Sequence, residues 1–380
     1  MRLRRASRPG NGVWAVIAGG GTGGHVVPAI AIGRALVDRG RPVESIAFVG
    51  SRRGMEARLV PSAGFQVILL PGRGLARRFT WDNVAAVAGL LVATGRAVAL
   101  MARLRPRVVI SVGGYASFPC AVAAIVWRVP LIVAEQNAAP GLANRVVGRF
   151  AAACAVSFAA TPLPRSVLTG NPVRPEILAV DRSCPSRAAA RAELGLPPGR
   201  MIVAVAGGSL GARRINEAVL GLAAIWSGRS SVAIHHVVGQ RDFETLSSRA
   251  PALPHEGLIY HQVAFEDRMD LVLAAADVAV QRAGASTVAE LTVVGLPSIL
   301  VPLPGAPGDH QTANADRLAG AGAAVVVPDA DVDPTRLGAE LDRLLGDPGL
   351  RQRMGDAAKA LAHPGAAAAV SALAEERARG

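Results

Sequence analysis

A chain of 380 residues, 51% of them apolar, is too long for one ordinary α/β core and has enough apolar mass for two. Only 4% of residues are aromatic and the apolar mass is mostly Ala, Val and Leu, which excludes a typical all-β sandwich and favours helices laid on parallel strands. The net charge of +13 suits phosphorylated small molecules or an anionic membrane, while the lack of an aromatic-interleaved basic stripe, zinc finger or Arg-rich tail argues against nucleic acid.

In chain order, short Val/Ile-rich runs predict strands at 13–18, 46–49, 67–70, 108–112, 131–134 and 167–169. They resume at 202–206, 233–238, 258–261, 278–280, 298–301 and 323–327, with Ala/Leu/Arg segments of helical period between them. Strands alternating with helices of this length indicate βαβ units and parallel sheets. The runs AVIAGGGTGGH (15–25) and VAVAGGSLGARR (203–214) each leave a strand through glycines into a helix, the usual opening of a doubly wound domain. Two such openings predict two Rossmann-like domains facing across a cleft, the GT-B arrangement. The Pro-, Ser- and Arg-rich tract between residues 172 and 200 is the expected boundary, giving domains of 1–172 and 173–362. The last helix, within 363–380, is expected to pack back on the first domain.

Three cysteines, Cys120, Cys154 and Cys184, form no metal-ligand spacing, and their odd, sparse count points to a reducing compartment. The basic N-terminus precedes an apolar run at 13–18 that is too short for a signal-peptide core. Arg96 interrupts the longest apolar tract, 84–101, so no membrane span is expected.

The first glycine run contains Gly19, Gly21 and Gly24 in dinucleotide-fingerprint spacing, which brings backbone amides at a helix start close to an anion. The same spacing fits an NADP-dependent dehydrogenase, with Arg52 and Arg53 available for a 2′-phosphate. His25 follows directly; it reads either as a general base at the strand exit or as a helix-start histidine bonding backbone. In AEQNAAPGLAN (134–144), Glu135, Gln136, Asn137 and Asn144 crowd one strand exit with acceptors and amide donors, as sugar or diphosphate recognition requires. Tyr115, after Gly113 and Gly114, reads equally as packing or function. Arg174 ends TGNPVR, where a guanidinium can meet a phosphate or an interdomain carboxylate, and Ser209 in the second glycine loop can donate to phosphate.

The tract 281–315 is the most informative. Ala285, Ser286 and Thr287 open a helix whose amides can bind a diphosphate, Glu290 lies one turn on and can accept ribose hydroxyls, and His310 and Gln311 begin a further helix. Capping and solvation are the bland alternatives for each. Asp329 and Asp331 match a metal-binding D-x-D pattern but precede Pro334, so a turn is expected and no metal is assigned. Leu75, Phe79 and Trp81 stand among Arg77 and Arg78, a pattern suited to anionic lipid headgroups.

Taken in order, GGGTGGH, GGYAS, EQNAAPGLAN, TGNPVR, GGSLGAR and RAGASTVAE…DHQTANA resemble the MurG family of glycosyltransferases, from about residue 13 to the C-terminal helix. The resemblance implies a GT-B enzyme without cofactor at the cytoplasmic face of the cell membrane. It implies transfer of N-acetylglucosamine from UDP-GlcNAc to lipid I, the undecaprenyl-diphosphate-linked muramyl-pentapeptide, giving lipid II. Sugar-nucleotide contacts carry over to Thr22, Gly23, Gly24, Asn137, Arg174, Ser209, Ala285, Ser286, Thr287, Glu290 and Gln311, and uracil to the backbone near Phe265 and Glu266. His25 and Tyr115 would face the acceptor, with His25, or else Glu135, as the base; Leu75 to Trp81 would face lipid. The sequence departs from the family pattern at Leu210, where Gln is expected, and His310 stands where some members have Gln. The rival readings are a UDP-sugar 2-epimerase on the same scaffold and a non-catalytic sugar-nucleotide binder.

Overall fold

The computed structural model describes residues 12–52, 54–71, 81–208 and 211–379, with backbone only at 81–87. The chain divides into two compact units, Met1–Val173 with Pro364–Gly380, and Arg174–His363.

In the first unit, β1 (Ala15–Gly19), α1 (Gly23–Asp38), β2 (Ile46–Ser51), α2 (Glu56–Ser62), β3 (Gln66–Leu70) and α3 (Trp81–Leu104) come first. They are followed by β4 (Val108–Gly113), α4 (Ser117–Val126), β5 (Leu131–Glu135), α5 (Leu142–Gly148), β6 (Ala153–Val156) and β7 (Ser166–Leu168). The strands form one parallel sheet in the order β3-β2-β1-β4-β5-β6-β7. Two apolar cores lie on its faces, one containing Val16, Val109, Leu131 and Val133, the other Ile17, Ile32, Ile110 and Ile132. Burial on both faces explains why β1, β4 and β5 are continuous apolar runs rather than alternating ones.

The second unit runs α6 (Pro175–Leu178), α7 (Cys184–Glu193), β8 (Met201–Ala206), α8 (Arg213–Ile225), β9 (Val232–Val237), α9 (Phe243–Ser247), β10 (Ile259–Val263) and α10 (Met269–Ala275). It continues through β11 (Val278–Gln281), α11 (Ala285–Val294), β12 (Ser298–Leu300), α12 (His310–Gly320), β13 (Ala324–Val326), α13 (Pro334–Gly346) and α14 (Pro348–Ala360). Its parallel sheet has the order β10-β9-β8-β11-β12-β13. In both sheets the order reverses beside the strand that opens the unit, β1 and β8, and ligands of doubly wound folds bind outside the strand ends at that reversal.

The final helix, α15 (Ala366–Arg377), packs on α1 of the first unit. Ser371 Oγ donates to the Ile32 carbonyl at 3.2 Å, and Glu375 pairs with Arg39 at 2.6 Å and Arg41 at 2.9 Å.

One strand departs from the sequence expectation. β6 lies in an alanine-rich stretch without β-branched patterning, yet it pairs between β5 and β7. Ala153, Cys154 and Ala155 are buried there, and their small size fits a strand crowded by helices on both faces, so packing overrides local propensity.

Candidate active site

The glycine-rich and EQN motifs of the first unit lie at the C-terminal ends of β1, β4 and β5. The Gly20 amide donates to the Gly113 carbonyl at 3.2 Å, and a Cβ on Gly114 would lie 2.0 Å from the Gly20 carbonyl oxygen. Only glycine permits this approach, so GGGTGGH and GGYAS interlock through backbone. A Cβ on Gly113 would lie 2.7 Å from His25 Cδ2, so the half-buried imidazole rests on that glycine. Thr22 caps α1, and its Oγ1 lies 3.3 Å from His25 Nδ1. Gly23 and Gly24 are the first residues of α1. The Tyr115 hydroxyl is buried without a hydrogen-bond partner among the described residues, and burial pushes its phenol above the usual range.

Glu135 plays a different part from His25. Oε1 accepts from the Asn137 amide at 2.9 Å and from Asn137 Nδ2 at 3.1 Å; Oε2 accepts from the Gly141 amide at 3.2 Å and Asn144 Nδ2 at 2.8 Å. A carboxylate has about four acceptor sites, and here all four are used within a residue that is 3% exposed. Its carboxylate therefore organises loop 135–144.

In the second unit, Arg174 and Glu290 are partners. Arg174 Nε and Nη2 both donate to Glu290 Oε1, at 3.2 and 3.0 Å. Burial pushes the Glu290 carboxyl above its usual range, and the Arg174 guanidinium opposes that shift. Gly284 precedes α11 in extended conformation, so Ala285, Ser286 and Thr287 form its first turn, where amides have no intrahelical acceptor. The Ser286 hydroxyl is buried without a partner among the described residues.

The approach to that turn is braced by Arg282 and Asn314, to which the sequence motifs assign no role. Arg282 donates to the Val301 and Pro302 carbonyls at 3.2 and 3.1 Å and pairs with Asp329 at 2.6 Å, while Asn314 Nδ2 holds the Ala283 carbonyl at 3.1 Å. Asp329 also lies 3.3 Å from Arg214 Nε, so in the D-x-D stretch this carboxylate is an ion-pair partner inside a 3-10 turn. Gln311 Oε1 accepts from the Leu303 amide at 2.9 Å, and His310 Nδ1 lies 2.8 Å from the Pro307 carbonyl oxygen.

Glu266 follows β10, three strands from β11 in the sheet, roughly 14 Å away at ordinary strand spacing. It accepts from the Arg268 amide at 2.9 Å and lies 3.8 Å from His235 Nε2. Behind it, His235 Nδ1 lies 3.1 Å from His261 Nδ1, and His236 bridges the Tyr260 hydroxyl at 2.8 Å and Asn216 Oδ1 at 3.0 Å. Burial holds both inner imidazoles neutral, pushing His235 down to about 4 and His236 to about 3. Ser209, Leu75, Arg77, Arg78 and Phe79 lie outside the described residues; Trp81 begins α3, with only its backbone described.

Residues 15–156 match the glycosyltransferase family 28 N-terminal domain and 202–370 its C-terminal domain. The UDP-N-acetylglucosamine--N-acetylmuramyl-(pentapeptide) pyrophosphoryl-undecaprenol N-acetylglucosamine transferase of Moorella thermoacetica is 40% identical over 364 residues, 93% of this chain and 96% of that protein. The crystal structure of Acinetobacter baumannii MurG superposes with a TM-score of 0.75 at 28% identity, over 95% of this chain and 99% of that one. The chain belongs to the MurG family. Its two parallel-sheet domains are the GT-B fold of that family. A putative UDP-N-acetylglucosamine 2-epimerase from Listeria monocytogenes also superposes, with a TM-score of 0.65 over 94% of each chain, but at 13% identity it shares the fold alone. MurG membership therefore rests on sequence along nearly the whole length, which the epimerase scaffold does not match.

This MurG-family chain also carries a surface that its sequence motifs do not mark. Leu142 (72% exposed), Val146 and Phe150 (64% exposed) recur every fourth residue along and just beyond α5, with exposed Arg145 and Arg149 between them. In the sequence its mark is the four-residue spacing of Leu142, Val146 and Phe150 with Arg145 and Arg149 between them. No helix among the described residues is long and apolar enough to cross a membrane.

Proposed function

We propose that this chain transfers N-acetylglucosamine from UDP-GlcNAc to the muramyl 4-hydroxyl of lipid I in a single inverting displacement, giving lipid II for peptidoglycan synthesis. The observation that carries the reading is the Arg174–Glu290 pair on the second unit, beside the first turn of α11, within a MurG-family sequence. Two of the five N–H donors of Arg174 go to Glu290 Oε1, leaving others for a diphosphate. The α11 amides at 285–287 add a second set of donors aimed at the charge that develops on departing UDP. Glu290 accepts ribose hydroxyls, Gln311 and His310 the sugar, and the backbone near Glu266 the uracil. Ser209 supplies a further hydroxyl to the phosphates.

On the first unit, His25 takes the proton of the attacking hydroxyl, with Thr22 and the Gly113 backbone fixing its ring. Tyr115 borders the acceptor, and Asn137 reaches the sugar from the loop that Glu135 holds. The lipid carrier of the acceptor requires a membrane surface. The α5 face, with the segment from Leu75 to Trp81, docks the enzyme peripherally on the anionic inner leaflet, at the cytoplasmic face. A role in cell shape and division follows from supplying cell-wall precursor.

The test is turnover of labelled UDP-GlcNAc with a short-chain lipid I analogue, and with donor alone. The reading expects labelled disaccharide-lipid and free UDP only when acceptor is present. Donor binding without transfer would overturn it in favour of a silent binder, and donor conversion without acceptor in favour of an epimerase.

A further inference from the structure

Glu56, the first residue of α2, carries a carboxylate that is buried in the first unit, with 1% of the residue exposed. Its Oε2 accepts from the Gly21 amide at 2.8 Å and its Oε1 from the Ser51 amide at 2.6 Å. Three glycines, one in the first glycine loop, one in β2 and one between β2 and α2, leave room for it. A Cβ on Gly20 would lie 2.2 Å from Oε1, one on Gly50 would lie 2.2 Å from Cγ, and one on Gly54 would lie 2.0 Å from Oε2. A buried carboxylate is retained only where donors are aimed at it; here one is the Gly21 amide of the glycine loop that leads into α1, and the other is the Ser51 amide at the end of β2. Doubly wound folds usually offer such amides to a ligand phosphate. Here an anion belonging to the chain already holds the Gly21 amide.

We propose that Glu56 is a positioning residue, an internal anion that closes the first glycine loop to nucleotide phosphate and sets the path from Gly21 through Thr22 to His25. Thr22, next in the chain, caps α1 and lies 3.3 Å from His25 Nδ1 through its hydroxyl. Met55, beside Glu56, reaches the same helix start, its Sδ 3.9 Å from the Cβ position of Gly23. The arrangement explains why a dinucleotide-type fingerprint stands in the unit without the α11 donor set. The proposal rests on the reading that this loop serves the acceptor half of the reaction.

The experiment measures steady-state constants of the full-length wild type and Glu56→Gln for donor and acceptor separately, together with the UDP-induced thermal shift. An amide cannot accept at both positions, so kcat/KM for the short-chain lipid I analogue falls at least about tenfold while donor KM stays within about twofold. In Glu56→Ala, added acetate restores part of the lost acceptor turnover, and chloride at equal ionic strength does not. Glu56→Gln matching wild type in every constant would overturn the proposal. So would equal loss of donor and acceptor constants in both variants with no recovery in acetate, the signature of a merely structural residue. A wild type that transfers nothing would overturn the acceptor reading as well, whereas a transferring wild type with indifferent variants overturns this proposal alone.

Discussion

His25 and Glu135 both sit at strand exits of the first sheet, and their surroundings differ. Glu135 spends all four acceptor sites on the loop it precedes, while His25 rests half-buried on Gly113 beside the Thr22 hydroxyl. Replacing His25 with Ala should lower kcat by about 10²- to 10⁴-fold and leave the UDP-induced thermal shift unchanged. Strong residual turnover would remove His25 as base. Glu135→Gln should act on stability, leaving a buried donor unsatisfied at a cost of about 1–3 kcal/mol, which thermal unfolding reads as a drop of several degrees. The limb of its kcat/KM–pH profile that reports the base should survive; its loss would return Glu135 to the chemistry. The sequence placed both residues at strand exits but could not divide their roles, because the division depends on Asn137, Gly141 and Asn144 turning back onto one carboxylate. Glu56 was less visible still. In GMEARLVP it looks like an ordinary helix-start acid, and its importance depends on Gly20 and Gly21 arriving from another strand.

Among elements, the glycine-terminated strands and the α11 start were legible because parallel sheets and helix N-termini leave short-range marks. The Arg174–Glu290 bond spans 116 residues and left none. Burial raises the Glu290 carboxyl, so over the window from the usual carboxylate range up to its raised value the folded state binds more protons than the unfolded one. Stability contributed by this group is therefore lost as pH rises through that window. Glu290→Gln should weaken UDP-GlcNAc binding about tenfold by calorimetry while costing little in melting temperature at neutral pH. An unchanged affinity would contradict its role at the ribose. The β9–β10 histidines have the opposite sign. His235 and His236 are depressed to about 4 and about 3, so the unfolded state binds more protons below its ordinary histidine range. The stability they contribute is present above about pH 6.5 and lost as pH falls towards 4, which a melting series should show and His236→Asn should flatten. A melting temperature constant over that range would refute the buried neutral pair. β6 was missed because its alanines and cysteine carry no strand periodicity; its place is set by β5 and β7.

For the whole molecule, a +13 chain acting on a lipid-linked acceptor needs a surface to work on. The face proposed for it carries exposed Leu142, Val146 and Phe150 with Arg145 and Arg149. Sedimentation with anionic vesicles should bind the protein, fall with added salt, and weaken in Leu142→Ser/Phe150→Ser; neutral vesicles should bind far less. Equal binding of the double variant would remove α5 from the membrane face. The most direct measurement of the central claim is the NMR structure of the disaccharide made from UDP-α-GlcNAc and a lipid I analogue. A β-1,4 linkage to the muramyl sugar is the result the inverting displacement predicts, and an α linkage, or attachment at any other hydroxyl, would contradict it.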